Sequence, residues 1–248
     1  MNIVYCINDN PTYINMMYES MRSFDMHHSN IKFYVIVNSE KKLNLRLEEY
    51  YRITQIPCKL TKTYRERLNS HEGPTDRLNN TSYLKLWIPE LLKDKVNRCL
   101  FVDCDILCFG NIENEYNSKI ASRLALSPIN IQAQRKIELG LKETDNYYST
   151  GLMLFDFTKD YTNWRENLFS NIQDIPCSFW CHEETLINYN EKSLEPLSYT
   201  LCGYNFSITP WEYAPYANAK IKLIHFGGKS KLNFYNAANF LRAINTLP

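Results

Sequence analysis

The residues with the clearest chemical potential lie between Arg98 and Ile112, in the stretch RCLFVDCDILCFGNI. Asp103 and Asp105 stand one residue apart and follow Cys99 to Val102, an apolar run that reads as a short buried strand. Two unpaired anions drawn together out of water would cost several kcal/mol, so the pair calls for a positive partner. On extended chain, residues two apart share one face, and both carboxylates can then reach a single hard divalent cation or its waters. A D-x-D triplet is short enough to arise by chance, and a pair of solvated strand-end aspartates is the alternative.

A second group sits in Ile221 to Lys231, IKLIHFGGKSK, where an apolar strand runs into His225, Gly227-Gly228, Lys229 and Lys231. Glycines let backbone amides come close to a phosphate, and a lysine neutralises it as a point charge. His225 at the entrance can complete the ligands of an ion beside the two aspartates, or it can be a strand-end histidine satisfied by packing.

These groups need a scaffold. Ile3 to Ile7 and Ile31 to Val37 read as strands flanking a helix over Ile14 to Phe24, a βαβ opening. Lys41 to Tyr51 reads as a second amphipathic helix, Ile53 to Cys58 as a third strand, and Thr81 to Leu92 as the helix before the aspartate pair. Further strands are expected at Ala121 to Leu126, Gly151 to Phe155 and Ile221 to Ile224, and helices at Asn163 to Ile172, Glu183 to Tyr189 and Phe234 to Ile244. Strands alternating with helices predict an α/β fold with a mainly parallel central sheet covered by helices on both faces. In such a sheet ligands bind beyond the carboxyl ends of the strands, where Asp103 and Asp105 would stand.

With 248 residues and 44% hydrophobic content, the chain suits one α/β domain spanning 1–248. Lysine and arginine total 28 against 27 acidic residues, and the net charge of +1 gives no global field for gripping nucleic acid or an anionic membrane. No apolar run approaches the ~20 residues that span a bilayer, and Met1 leads into NIVYCIND without a signal-peptide pattern, so a cytoplasmic location without a transmembrane segment is expected. The eight cysteines sit mostly in apolar runs, which predicts reduced, packed thiols. The spacings Cys104-x3-Cys108 and Cys177-x3-Cys181 do not match the usual zinc pattern.

In this order along the chain, the segments resemble the metal-dependent GT-A glycosyltransferases, and in particular glycosyltransferase family 8, which includes glycogenin and bacterial lipopolysaccharide galactosyl- and glucosyltransferases. LFVDCDILCFGNI resembles the family's strand and D-x-D. IHFGGKSK resembles its H-F-x-G-x-x-K, with His225, Gly228 and Lys231 on the fixed positions. SYLKLWIPELL is similar to the helix before the D-x-D, with Lys85 at a basic position. YYSTGLMLFDF resembles the F-N-[SA]-G strand, and VYCINDN the N-terminal strand and nucleotide loop. HEETLIN stands where the family has D-Q-D-x-L-N, and it also resembles an element of the blood-group-type transferases. Ser149 replaces the family's Asn, Leu232-Asn233 replace its Pro-Trp, and ALSP lacks an aspartate often found near the donor sugar.

The resemblance implies a single Rossmann-like GT-A domain, with a nucleotide-binding part over about 1–110 and an acceptor and sugar part over about 111–248. It implies a retaining transfer of a hexose from a UDP-sugar to a glycan, protein or other hydroxyl acceptor, with Mn2+ or Mg2+ held by Asp103, Asp105 and His225. Lys231, the Gly228 amide and Lys85 would meet the phosphates, Cys6, Asn8 and Asn10 the uracil and ribose, and Tyr13 the base, unless Tyr13 merely packs a helix face. The short Cys104 would leave room for the ribose, and Ser149 would border the sugar. Glu184, with Glu183 beside it, would stand near the anomeric carbon; a glutamate favoured by a helix N-terminus is the alternative. A metal-dependent nucleotide phosphohydrolase or nucleotidyltransferase, and a GT-A-fold binding protein without catalysis, are competing functions. Self-association into a homo-oligomer stays open.

Overall fold

In a computed structural model, the structure describes residues 1–60, 80–129, 131, 133–170, 182–191, 193–203, 221–227 and 231–245. The first strand, β1 (Asn2–Ile7), leads into α1 (Pro11–Asp25), β2 (Lys32–Val37) and β3 (Thr54–Pro57). A 3-10 helix (Asn80–Trp87) and α2 (Ile88–Leu92) precede β4 (Arg98–Val102) and β5 (Ile106–Cys108). Then follow α3 (Glu113–Asn117), β6 (Leu124–Ile129), α4 (Ala133–Glu138), β7 (Tyr147–Asp156) and α5 (Trp164–Ser170). The chain continues through α6 (His182–Asn190), β8 (Glu195–Pro196), β9 (Thr200–Gly203), β10 (Leu223–Phe226) and α7 (Lys231–Asn245).

The main sheet has seven strands in the order β3-β2-β1-β4-β7-β6-β8, and a second sheet has the order β5-β10-β9. The β1–β2, β1–β4, β2–β3 and β6–β8 ladders are parallel, whereas β7 runs antiparallel to β4 and β6. Burial on both faces explains why β1 and β2 read as almost unbroken apolar runs. Ile3, Tyr5 and Ile7 face a core with Met17, Met21 and Phe24 of α1 and Phe234 and Leu241 of α7. Val4 faces the opposite core, with Leu84 and Trp87 of the 3-10 helix, Leu168 of α5 and Leu186 of α6. Helices therefore cover both faces, as the alternating pattern predicts.

Strand order reverses at β1: β2 and β3 lie to one side and β4 to the other. Such a switch point opens a crevice at the carboxyl ends of the strands, here between Cys6 to Asn8 and Asp103.

Several elements differ from expectation. Lys41 to Tyr51 is not helical: 42–45 form no regular structure, and turns follow from Arg46 to Arg52. The Gln55 amide of β3 claims both the Leu43 N–H and the Leu43 C=O, at 2.9 Å each, and Arg52 adopts a left-handed φ of 50°. Leu45 and Tyr51 still reach the core, so burial was met by other means than helical periodicity. Thr81 to Leu92 splits into a 3-10 and an α segment, because a continuous α-helix would drive the Pro89 ring against the Lys85 carbonyl. The strand expected at Ile221 to Ile224 lies two residues later, so His225 is inside β10, paired with Ile106 and Cys202, rather than beyond its end. Similarly, β6 begins at Leu124 and not Ala121, and β7 extends back to Tyr147.

Candidate active site

Asp103 directly follows β4, and Ile106 N–H donates to Asp103 O at 3.2 Å, closing a turn around Cys104 and Asp105. The aspartates therefore converge on a turn and not, as the spacing suggested, on extended chain. Phe226 N–H donates to Asp105 O at 2.9 Å, which ties the turn to β10. His225 Nε2 consequently lies 3.1 Å from Asp105 Oδ1 and 3.8 Å from Asp103 Oδ2. One ligand atom from each of the three lies within 4.8 Å of the others, and among the described residues they form the group of His, Cys, Asp and Glu side chains placed to share an ion. Two carboxylates and an imidazole form an O/N donor set suited to a divalent ion of the Mn2+ or Mg2+ kind. Asp105 and His225 are buried, while the Asp103 side chain keeps 35% of its surface exposed and so leaves the approach open.

The opening problem of the paired anions has a protein answer as well. Lys85, on the 3-10 helix, is buried with Nζ 3.6 Å from Asp103 Oδ1 and 3.5 Å from Glu183 Oε1. It donates to Thr150 O at 3.2 Å and Thr150 Oγ1 at 3.4 Å, and it lies 4.9 Å from the Phe101 ring centroid. Burial acts to lower the Lys85 pKa, but the Asp103 and Glu183 carboxylates outweigh it and hold the ammonium charged. Burial also raises the Asp103 carboxyl above its ordinary range, with Lys85 and His225 opposing and Asp105 and Glu183 adding to it.

Helix α6 brings in the two glutamates. Asn188 docks it on β7 by accepting from Tyr148 N–H at 2.9 Å and donating to Tyr148 O at 2.8 Å, and it also donates to Glu184 O at 2.8 Å. Glu184 Oε2 accepts from Thr150 N–H at 3.2 Å. Burial, then the neighbouring Glu183 charge, pushes the Glu184 carboxyl up to about 7, against the pull of that amide and of Lys85. Glu183 Oε2 is buried without a hydrogen-bond partner among the described residues.

Strand β7 departs from its neighbour at the site. Leu126 pairs with Met153 but Ser127 with Ser149, so Thr150, Gly151 and Leu152 bulge away from β6. Bulges commonly re-aim a strand beside an active site. Here the Gly151 carbonyl accepts from Asp103 N–H at 2.8 Å, and Ser149 Oγ accepts from Gly151 N–H at 3.2 Å.

Cys6 lies at the end of β1 close to Lys85, Asp103 and Cys104, and burial raises its thiol pKa. Cys104 is buried and joins the core. Asn8 and Asn10 use their side-chain carbonyls locally: Asn8 Oδ1 accepts from Asn10 N–H at 3.1 Å, and Asn10 caps α1 by accepting from Thr12 N–H at 2.9 Å. Tyr13, on α1, packs partly buried against the core. Gly228 and Lys229 lie outside the described residues, and Lys231 begins α7. Among the described residues, Cys6, Cys58, Cys99 and Cys108 are free thiols.

Thr150, Gly151 and Asn188 belong to the site's framework without having been singled out by sequence. The available signal was their position inside STG and HEETLIN, but spacing alone does not say that one segment docks on the other.

A mostly parallel sheet with a D-x-D turn at the switch point defines the GT-A class of glycosyltransferases. The chain belongs to glycosyltransferase family 8, whose family model, "Glycosyl transferase family 8", matches residues 2–232. It is 25% identical over 208 residues to general stress protein A of Bacillus subtilis (strain 168), across 80% of this chain and 69% of that protein. Its fold is similar to that of the galactosyltransferase LgtC, solved with donor and acceptor sugar analogues, at a TM-score of 0.69 and 15% identity, over 100% of this chain and 98% of that one. Mouse xyloside xylosyltransferase 1 has a similar fold, with a TM-score of 0.58 and 10% identity, over 90% and 96% of the two chains. Among the described residues no helix is long and apolar enough to cross a membrane.

Proposed function

We propose that this glycosyltransferase moves a hexose from a UDP-sugar to a hydroxyl of a glycan or protein acceptor, with retention at the anomeric carbon and with Mn2+ or Mg2+. The observation that carries the reading is the convergence of Asp103, Asp105 and His225 above a buried Lys85 at the carboxyl end of β4.

Transfer breaks the bond between the anomeric carbon and a β-phosphate oxygen, and the electron pair leaves with UDP. The acceptor oxygen bonds to that carbon and releases its proton to the departing phosphate or to a nearby carboxylate. The largest task is to stabilise charge gathering on the diphosphate. A divalent ion, when bound by Asp103, Asp105 and His225, supplies Lewis-acid neutralisation of that charge. Lys85 adds positive charge beneath Asp103, while Lys231 and the Gly228 amide are assigned to the phosphates. Cys6, Asn8, Asn10, Cys104 and Tyr13 are assigned to the uridine.

Glu184, with a carboxyl that titrates near 7, stands as the group nearest the anomeric centre in this reading, and Glu183 beside it offers an acceptor where the family carries an amide. Ser149 and Glu183 together are assigned to reading the sugar, favouring UDP-glucose and UDP-galactose over UDP-N-acetylhexosamines, because an acceptor at Glu183 rewards a sugar hydroxyl.

The test is a screen of UDP-sugars for divalent-ion-dependent release of UDP, with and without acceptors. Asp105→Asn is expected to abolish turnover. Full activity in excess chelator overturns the metal role, and release of phosphate from sugar-free nucleotides favours the phosphohydrolase instead.

A further inference from the structure

We propose that Gly151 is a positioning residue for the metal site: its missing side chain is the space that holds the His225 imidazole against Asp103 and Asp105. The inference rests on the metal reading above and deepens it.

A Cβ built on Gly151 would lie 2.3 Å from His225 Cε1, 2.6 Å from His225 Nδ1 and 3.0 Å from Asp103 Oδ2. The first two separations lie roughly an ångström inside ordinary contact between heavy atoms. Gly151 does not have a left-handed φ, so backbone conformation does not demand glycine here and only space does.

Neither backbone can retreat cheaply. The Gly151 carbonyl is bonded to Asp103 N–H and its amide to Ser149 Oγ, and Leu152 is paired with Val102 on β4. On the other side, His225 sits in the central strand of the smaller sheet, with β5 and β9 as neighbours. Relief of a Cβ must therefore come from rotation of the imidazole. Its Cε1 and Nδ1 edge faces Gly151, while Nε2 faces the carboxylates, so turning that edge away from β7 draws Nε2 off Asp105 and Asp103. Glycine at this position presets the third ligand before any ion arrives, and groups that orient metal ligands typically change affinity by 10–100-fold.

The test uses the full chain, with Mn2+ as the probe. Free Mn2+ is titrated by electron paramagnetic resonance against wild type, Gly151→Ala, His225→Ala and the double variant, and each is melted without metal. Gly151→Ala is expected to weaken Mn2+ binding by about 10–100-fold, and to have no further effect once His225 is Ala. It should lower Tm in the wild-type background and not in His225→Ala, where the new methyl enters the space left by the ring. A wild type that binds no Mn2+ overturns the metal reading and this inference together. Wild-type Mn2+ affinity in Gly151→Ala overturns the inference alone. If Gly151→Ala fails to fold and the double variant is equally unstable, the glycine serves the strand and not the ring, and the proposal fails; recovery of folding in the double variant supports it.

Discussion

At the scale of single residues, the site is a buried electrostatic cluster whose members set one another's charge. Glu184 titrates near 7 when folded, against 4.5 for a free side chain, because burial and Glu183 disfavour its anion. Between those values the folded state binds more protons than the unfolded one, so this group's stabilisation is complete below pH 4.5 and is lost as pH rises through 7. The loss is of order 3 kcal/mol, and Glu184→Gln is expected to flatten the fall in urea-unfolding free energy across that window. An unchanged slope would mean that other groups carry the pH dependence. Lys85 poses the opposite case, a cation facing two carboxylates in the interior. Lys85→Met keeps much of the volume but leaves Asp103 and Glu183 uncompensated, which should cost about 3–5 kcal/mol by denaturant titration at neutral pH. A loss below 1 kcal/mol, the worth of an exposed pair, would show that solvent already screens the cluster.

At the scale of elements, the decisive contact is the docking of α6 on β7. Asn188 imitates a neighbouring strand by bonding both polar groups of Tyr148, and it anchors the first turn of its own helix at Glu184. Asn188→Ala would strand a buried N–H and C=O, for a loss of about 2–4 kcal/mol. Because the same helix carries both glutamates, the variant should also lose turnover more than it loses UDP affinity. Equal losses in both would place the effect in the fold at large. Element types were largely legible, since β1, β2 and β4 are the short apolar runs that burial on both faces requires, and α1 spaces its buried residues as a helix does. Lys41 to Tyr51 was misread because its apolar spacing fits a helix, whereas Gln55, distant in the pattern, takes the Leu43 backbone.

At the scale of the whole molecule, the site joins β4 and the end of β1 in one sheet to β10 in the other, so a bound ion and nucleotide would brace both sheets. A ligand that binds only the folded chain at about 100 times its Kd adds about 2.7 kcal/mol, which for a chain of this size raises Tm by about 5–10 °C. UDP with Mn2+ is expected to give such a shift, measured by calorimetry, with chelator or Asp105→Asn abolishing most of it. A full shift in Asp105→Asn would move the ion off this turn.

The α/β class, the likeness to family 8 and the identity of the three candidate ligands could be read along the chain, because they depend on local periodicity and on short segments kept in order. Three features emerge in the folded chain alone: Lys85 is the counter-cation of Asp103 and Glu183, β7 bulges at Thr150 to Leu152, and Gly151 faces the His225 ring. Lys85 and Glu183, or Gly151 and His225, lie on segments far apart in the chain. Their meeting follows from strand order, register and the pairing of two sheets, which no pattern along one segment encodes.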